Sequence, residues 1–509
     1  MTHTPRIAVV GGGIGGLAAA AVLSRDFDVQ IFEAADRLGG KIRQTDVGAG
    51  LIDCGPTVFT MRWVFDELFE MAGSSFDQSV TATPLDVLAR HGWCDGSRLD
   101  LFADPEQSVE AISAFSSPEE GERYLAFCKE TEAVFETLHE SFMRAPSPDM
   151  ASLMMRANPF ALLATKPFTT LWSSLSRQFT DPRLQQLFGR YSTYCGSSPF
   201  QAPATLMLIA HVERVGVWTL EGGMAALVHA LTRLLERNGA EIHLNAPVSE
   251  IGTGRGRADS VTLEDGQRIE ADTVVFNGDR AALARGFLGE DARAAGGNAL
   301  RKQRSQSAMT WCMEAEAKGL DLSVHNVLFS DDYKSEFDAV FDKGHMPKSP
   351  TTYIFAPDRE NGGVSAGDRE RLFCLINAPS TGDDADFPQS LVEDAYRRMT
   401  SLLEDCGLKL TPNPSSITAT TPEDFATRFP GTGGALYGMA THGWHASFAR
   451  PGPKSKIPGL YLTGGSVHPG PGVPMAALSG ISAAKEIRKR MAARRSQPAS
   501  VASGRAALP

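Results

Sequence analysis

The sequence predicts an α/β protein: a discontinuous, Rossmann-like dinucleotide-binding domain with α+β inserts that build a second, substrate-binding domain. Three observations carry this expectation. A strand, a glycine turn and a helix open the chain, Ile7 to Leu23. A Gly-Gly-Met turn, a helix and a strand follow in the middle, Gly222 to Val248. A strand, a Gly-rich turn and a helix close it, Gly459 to Ala484. Each unit places glycines between a buried strand and a helix, as parallel α/β sheets do.

The 509 residues suffice for several domains, and 42% hydrophobic content suffices for a large core. A net charge of −11 argues against generic nucleic-acid binding, which needs a basic face, so no nucleic-acid partner is expected. The seven cysteines include no C-x-x-C, so neither a disulfide framework nor a metal cluster is expected. Met1 to Arg6 is polar, unlike a secretory signal, and no apolar run reaches about 18 residues. The expectation is a protein on the cytoplasmic side, free or peripherally membrane-associated.

Ile7–Val10 is a short uncharged run that reads as a buried parallel strand. Gly11, Gly13 and Gly16 fit G-x-G-x-x-G, with Gly15 inside the same turn, and a helix-forming run, Leu17 to Leu23, follows. Gly11 allows the tight turn, Gly13 lets a pyrophosphate approach, and Gly16 lets helix and strand pack closely. The helix N-terminus offers free N–H groups to phosphate. Val29–Phe32 reads as the second strand and ends on Glu33, placed to accept from a ribose diol. An acid there disfavours a 2′-phosphate.

Arg37-Leu38-Gly39-Gly40-Lys41 and Asp53-Cys54-Gly55-Pro56 come next. The first resembles the R-x-G-G-[RK] element of the flavin-dependent amine oxidases and carotenoid desaturases. The second is similar to their D-x-G-P. The resemblance implies FAD, with Gly39 and Gly40 passing the diphosphate, Arg37 and Lys41 neutralising it, and Gly55 and Pro56 near the flavin. It also implies that Gly222 to Val248 returns to the flavin domain. There Ala225–Arg237 is an amphipathic helix, Asn238-Gly239 its cap, and 240–248 a strand. Val248 is expected either to contact adenine through its backbone or to pack in the core. Asp265-Gly266 predicts a hairpin, and 271–279 a further buried strand.

The flavin domain is thus expected from 1–105, 212–290 and 455–492. The inserts 106–211 (helical) and 291–454 (sheet-containing) build the substrate domain, and 493–509 forms a flexible tail. Residues 150–180 mix Met, Leu, Phe and Trp172 with Arg156, Lys166 and Arg177 and hold no acid. They suit a membrane interface, or an ordinary packed helix pair. Tyr191–Phe200 resembles a turn of bacterial carotenoid desaturases. Residues 325–333, 350–354 and 375–379 resemble that family's second-domain strands. His325 beside a strand reads as structural.

The run "GLYLTGGSVHPGPGVPMAALSG", Gly459 to Gly480, is similar to the C-terminal signature of the carotenoid desaturases. It most resembles the branch acting on 1-hydroxylated acyclic carotenoids, the hydroxyneurosporene and methoxyneurosporene desaturases. "GALYGMATHGW", Gly434 to Trp444, agrees. The resemblance spans about residues 5–490. It implies that Gly464, Gly465, Val473, Pro474 and Met475 approach the flavin, with a helix N-terminus facing the ring. Gly465 and Ser466 stand where the wider amine-oxidase pattern has an acid. The activity implied is FAD-dependent dehydrogenation of an acyclic carotenoid, most closely 3,4-desaturation of a 1-hydroxycarotenoid, with quinone or oxygen as electron acceptor. His468 is the candidate proton carrier, or a brace of the turn. A phytoene desaturase, a flavin amine or protoporphyrinogen-type oxidase, and a prenyl-lipid-binding protein related to GDP-dissociation inhibitors remain as alternatives.

Overall fold

The computed structural model describes residues 4–147, 153, 155, 158–301, 303–360, 363–365, 367–444 and 446–495. Strand β1 (Arg6–Val10), helix α1 (Ile14–Leu23) and strand β2 (Asp28–Phe32) form as expected. They seed a five-stranded, all-parallel sheet. Its order is Leu460–Leu462, Thr273–Phe276, β1, β2, Glu241–His243. One sheet therefore draws strands from the start, middle and end of the chain. Every residue of α1 is buried, because the long C-terminal helix (Val473–Arg495) covers it opposite the sheet. Helix Ala225–Arg237 packs its face Leu227, Leu231, Leu234 and Leu235 into the same core.

The second layer is an eight-stranded sheet, antiparallel except where His325–Phe329 runs parallel to Val87–Trp93. Its strand Glu370–Ala378 shows why the sheet can hold both a core and a cavity. Leu372, Cys374 and Ile376 point to one face and pack against helix Gln389–Asp405. Phe373 and Leu375, one residue out of phase, point to the other face and line a cavity.

Several elements differ from the sequence expectation. Residues 240–248 are not one strand: Glu241–His243 ends in the parallel sheet, and Asn245 turns with a φ of 52°. Val248 then starts a strand of a separate three-stranded sheet. Pro247, which has no N–H to donate, sits at that break. Val87–Trp93 and Arg98–Phe102, expected within the first flavin segment, pair instead into the eight-stranded sheet. Trp93, Leu99 and Leu101 bury there against the helical insert. The C-terminal helix starts at Val473 and runs to Arg495, beyond the expected end of the flavin segment at 492. The rest of the expected tail, 496–509, and Arg156 of the 150–180 stretch lie outside the described residues. In that stretch helices Pro159–Ala164 and Leu171–Gln178 form.

Candidate flavin and substrate site

The β1–α1 turn is packed so tightly that side chains are excluded. A Cβ on Gly16 would lie 2.3 Å from the Gly11 carbonyl oxygen. One on Gly15 would lie 2.8 Å from the Gly464 nitrogen and 3.0 Å from the Ala476 oxygen. Gly15 therefore joins the N-terminal turn to the C-terminal one, and Gly480 returns the contact, its Cβ position 2.2 Å from the Gly15 oxygen. Gly11 adopts a φ of 94°, and its N–H closes onto the Phe32 carbonyl at 2.8 Å. Gly39 N–H donates to the Gly12 carbonyl at 2.9 Å, which lays the second glycine pair against the first.

Asn277, at the end of strand Thr273–Phe276, is the hub beneath these turns. Its amide lies 2.7 Å from the Cβ positions of Gly13 and Gly15, and Thr463 Oγ1 donates to its Oδ1 at 3.0 Å. Among the described residues no side chain caps the N-terminus of α1. A bare helix N-terminus ringed by glycines whose Cβ atoms would fill the space fits a dinucleotide diphosphate.

Glu33 takes two backbone donors, Gly12 N–H at 2.7 Å and Ala35 N–H at 2.9 Å. A carboxylate has about four lone-pair sites, so acceptor capacity remains for a ribose diol. Asp53 of the D-x-G-P run is buried and accepts from Met224 N–H at 2.8 Å and Gln44 Nε2 at 3.0 Å. It thereby caps helix Ala225–Arg237 from a distant segment. Burial pushes its carboxyl up to about 6 against these hydrogen bonds.

Beside the glycine turns lies a cavity of about 520 Å³ with mostly apolar walls. Gly55, Pro56 and Thr57 form one wall, and Pro469 to Met475 another. The eight-stranded sheet supplies Tyr353, Phe373 and Leu375, and the helical insert supplies Leu162, Leu163 and Phe168. Arg190, Tyr194 and Glu213 also face it. Tyr353 hydroxyl is 2.7 Å from Thr57 Oγ1 and 2.8 Å from His325 Nδ1. Among the described residues, Arg190 Nε, Glu213 Oε2 and His325 Nε2 are buried without a hydrogen-bond partner. Burial pushes the Glu213 carboxyl up, opposed by the Arg190 charge and by hydrogen bonds from Tyr191 and Tyr194. Burial drives His325 down to about 3, so its ring is neutral.

Residues 14–488 match the family model for flavin-containing amine oxidoreductases. The chain belongs to that family. It is a FAD-dependent oxidoreductase. It is 47% identical over 490 residues to the hydroxyneurosporene desaturase of Rubrivivax gelatinosus, covering 95% of this chain and 93% of that one. It is 41% identical to the hydroxyneurosporene desaturase of Cereibacter sphaeroides, covering 96% and 99%. It is 29% identical to the 1-hydroxycarotenoid 3,4-desaturase of a Flavobacterium, covering 92% and 96%. The fold matches putrescine oxidase bound to putrescine with a TM-score of 0.63 at 15% identity, over 96% and 99% of the chains. An oxidoreductase of Methanosarcina mazei matches with the same score at 16% identity, over 94% and 100%.

In this flavoenzyme the expected cofactor residues divide. Gly11, Gly13, Gly15, Gly16 and Gly464 gather around Asn277, Gly39 and Gly40 lie against Gly13, and Gly465 packs against Pro471. Arg37 is half-exposed and pairs with Asp36 at 2.9 Å. Lys41 is drawn the other way. It is buried, donates to the Leu436 carbonyl, and lies 5.1 Å from the Phe429 ring centre. Burial lowers its pKa. Val248 packs against the core of the three-stranded sheet. Val473, Pro474 and Met475 line the cavity at the start of the C-terminal helix. His468 stands behind that wall: its Nε2–H donates to the Phe142 carbonyl at 2.8 Å, and burial lowers it to about 4. Its geometry is that of a neutral brace, holding the turn to the helical insert.

Sequence reasoning missed Asn277, Arg190, Glu213 and Arg450. Arg450 is buried, and burial lowers it to about 10. It donates to the carbonyls of Gly465 at 3.0 Å and Met439 at 2.8 Å, tying the C-terminal turn to the run Gly434 to Trp444. Glu213 left one signal: an acid within a helix, Leu208–Val215, whose Leu208, Ala210 and His211 are all buried.

Proposed function

We propose that this flavoenzyme dehydrogenates an acyclic carotenoid, and that its substrate is a 1-hydroxycarotenoid desaturated between C3 and C4. The observation that carries this reading is the apolar cavity walled at once by Gly55–Thr57 and by Pro469–Met475, the two turns expected at the flavin. The names of the relatives point to the same chemistry. The bound flavin supplies the two-electron acceptor. A C–C bond becomes C=C when one carbon loses a hydride and its neighbour a proton, and the conjugated chain spreads the charge between. The protein's part is then mainly to align the chain and keep water out. Gly11, Gly13, Gly15 and Gly16 hold the diphosphate in this reading, Glu33 the ribose, and Gly464 to Met475 the ring. The electrons leave to a quinone or to oxygen.

The substrate enters from a membrane surface. Phe160, Leu163 and Phe168 are 82%, 62% and 68% exposed, and Leu163 and Phe168 also line the cavity. Exposed aromatic and aliphatic side chains at a cavity mouth suit an interfacial contact. No helix among the described residues is long and apolar enough to cross a membrane. The test is the FAD-loaded protein in liposomes carrying 1-hydroxyneurosporene, neurosporene or phytoene, followed by absorption. A red shift with the hydroxylated carotenoid is expected. Conversion of phytoene alone, or of none of the three, overturns the reading.

A further inference from the structure

We propose that Arg190 and Glu213 form the anchor that binds the hydroxyl of the substrate's end group and thereby selects the bond to be oxidised. This rests on the carotenoid reading above and names the part of the cavity that reads the end group.

The cavity wall is apolar almost throughout, yet two oppositely charged side chains are buried on it. Burying a charge is costly unless it is paired. Here the pairing is incomplete. Among the described residues Arg190 and Glu213 feel each other's charge but form no ion pair, and each keeps a buried atom without a partner. Arg190 Nε is a donor and Glu213 Oε2 an acceptor. A hydroxyl is one donor and two acceptor lone pairs, so a single hydroxyl can satisfy both. A hydrocarbon end can satisfy neither, and leaves both orphaned.

The surroundings hold this pair in place. The rings of Tyr191 and Tyr194 lie 5.6 Å and 5.4 Å from the Arg190 guanidinium. The Arg190 charge also reaches Tyr353, whose hydroxyl contacts Thr57, and Thr57 follows directly on Gly55–Pro56. The anchor therefore opens onto the same cavity as the wall expected at the flavin. Only two carbon–carbon bonds separate a C1 hydroxyl from C3. A hydroxyl fixed here brings the C3–C4 bond to that wall.

The experiment compares kcat/KM for 1-hydroxyneurosporene and neurosporene, using the full FAD-loaded chain in liposomes. The wild-type protein is expected to prefer the hydroxylated carotenoid by roughly 10-fold or more, the equivalent of one or two buried hydrogen bonds. Glu213→Gln and Arg190→Met are expected to reduce that ratio about 10-fold, chiefly through KM for the hydroxylated substrate. Bound-flavin absorbance and the melting temperature report whether each variant is folded. Tyr194→Phe removes one hydroxyl with little change of volume and serves if a charge variant does not fold; it is expected to lower the ratio several-fold. An unchanged ratio in the folded variants overturns the anchor, as does a wild-type protein that converts both carotenoids equally. If the wild-type protein converts neither, the desaturase reading itself fails, and the anchor with it.

Discussion

The glycine cradle and the cavity beside it are built in opposite ways. The cradle is made of missing side chains: Gly15 against Gly464 and Ala476, Gly16 against the Gly11 carbonyl, Gly480 against the Gly15 carbonyl. The cavity is made of present ones, brought from the helical insert, the second sheet and the C-terminal turn. The difference is one of tolerance. A backbone-on-backbone contact cannot yield to an added methyl group, whereas a side-chain wall can repack. The cradle should therefore respond to substitution as a matter of folding and cofactor retention, and the cavity as a matter of substrate choice.

The largest effect expected from breaking that contrast is at the core beneath the cradle. Leu17→Ala, at a site with no exposure, should cost about 2–5 kcal/mol, read as the shift in the denaturation midpoint. Next comes Asp53. Its carboxyl stands at about 6 in the fold, against about 4 in an unfolded chain. The fold therefore holds the proton more tightly than the unfolded chain does. That contribution is fully present below pH 4 and is lost as pH rises through 6, and is on the order of 3 kcal/mol at most. Asp53→Asn lacks this loss, so its melting temperature should rise relative to that of the wild-type protein between pH 4 and 6, and a parallel pair of curves would refute it. Gly480→Ala places a Cβ against the Gly15 carbonyl and should cost about 1–3 kcal/mol together with weaker flavin retention. On the cavity side, Phe160→Ser with Phe168→Ser should leave stability within about 0.5 kcal/mol, because both side chains are exposed. The same pair should release the protein from liposomes in a flotation assay. Smallest of all, Arg37→Ala loses only a half-exposed pair with Asp36, and should change flavin affinity less than Gly480→Ala does.

How far the sequence could be read follows the same division. Gly11, Gly13 and Gly16 are spaced by a local turn, so their role is legible in six consecutive residues. The helix Ala225–Arg237 was legible from its apolar period, and the hairpin from Asp265-Gly266. The same local logic misjudged 240–248, where an unbroken-looking run hides the switch between two sheets at Asn245. The family resemblance implied a shared role for Arg37 and Lys41; in the structure one pairs outward with Asp36 and the other is buried against Leu436. Nothing in the immediate sequence distinguishes the two fates, because the carbonyl that captures Lys41 lies 395 positions away. His468 drew notice as a histidine in a glycine-rich turn, yet its hydrogen bond goes to Phe142, in the helical insert.

By itself, then, the sequence determined the short buried strands, the glycine turns and the need for a dinucleotide cofactor, since each is read from residues adjacent in the chain. Only the tertiary structure decided which polar groups meet. Asn277 beneath the glycines and Asp53 on the helix at Met224 depend on segments far apart in sequence, and Arg450 on the C-terminal turn and Arg190 near Glu213 depend on how the chain between them folds back. A buried polar group is defined by the partner it finds or lacks, and that partner is fixed by packing rather than by spacing.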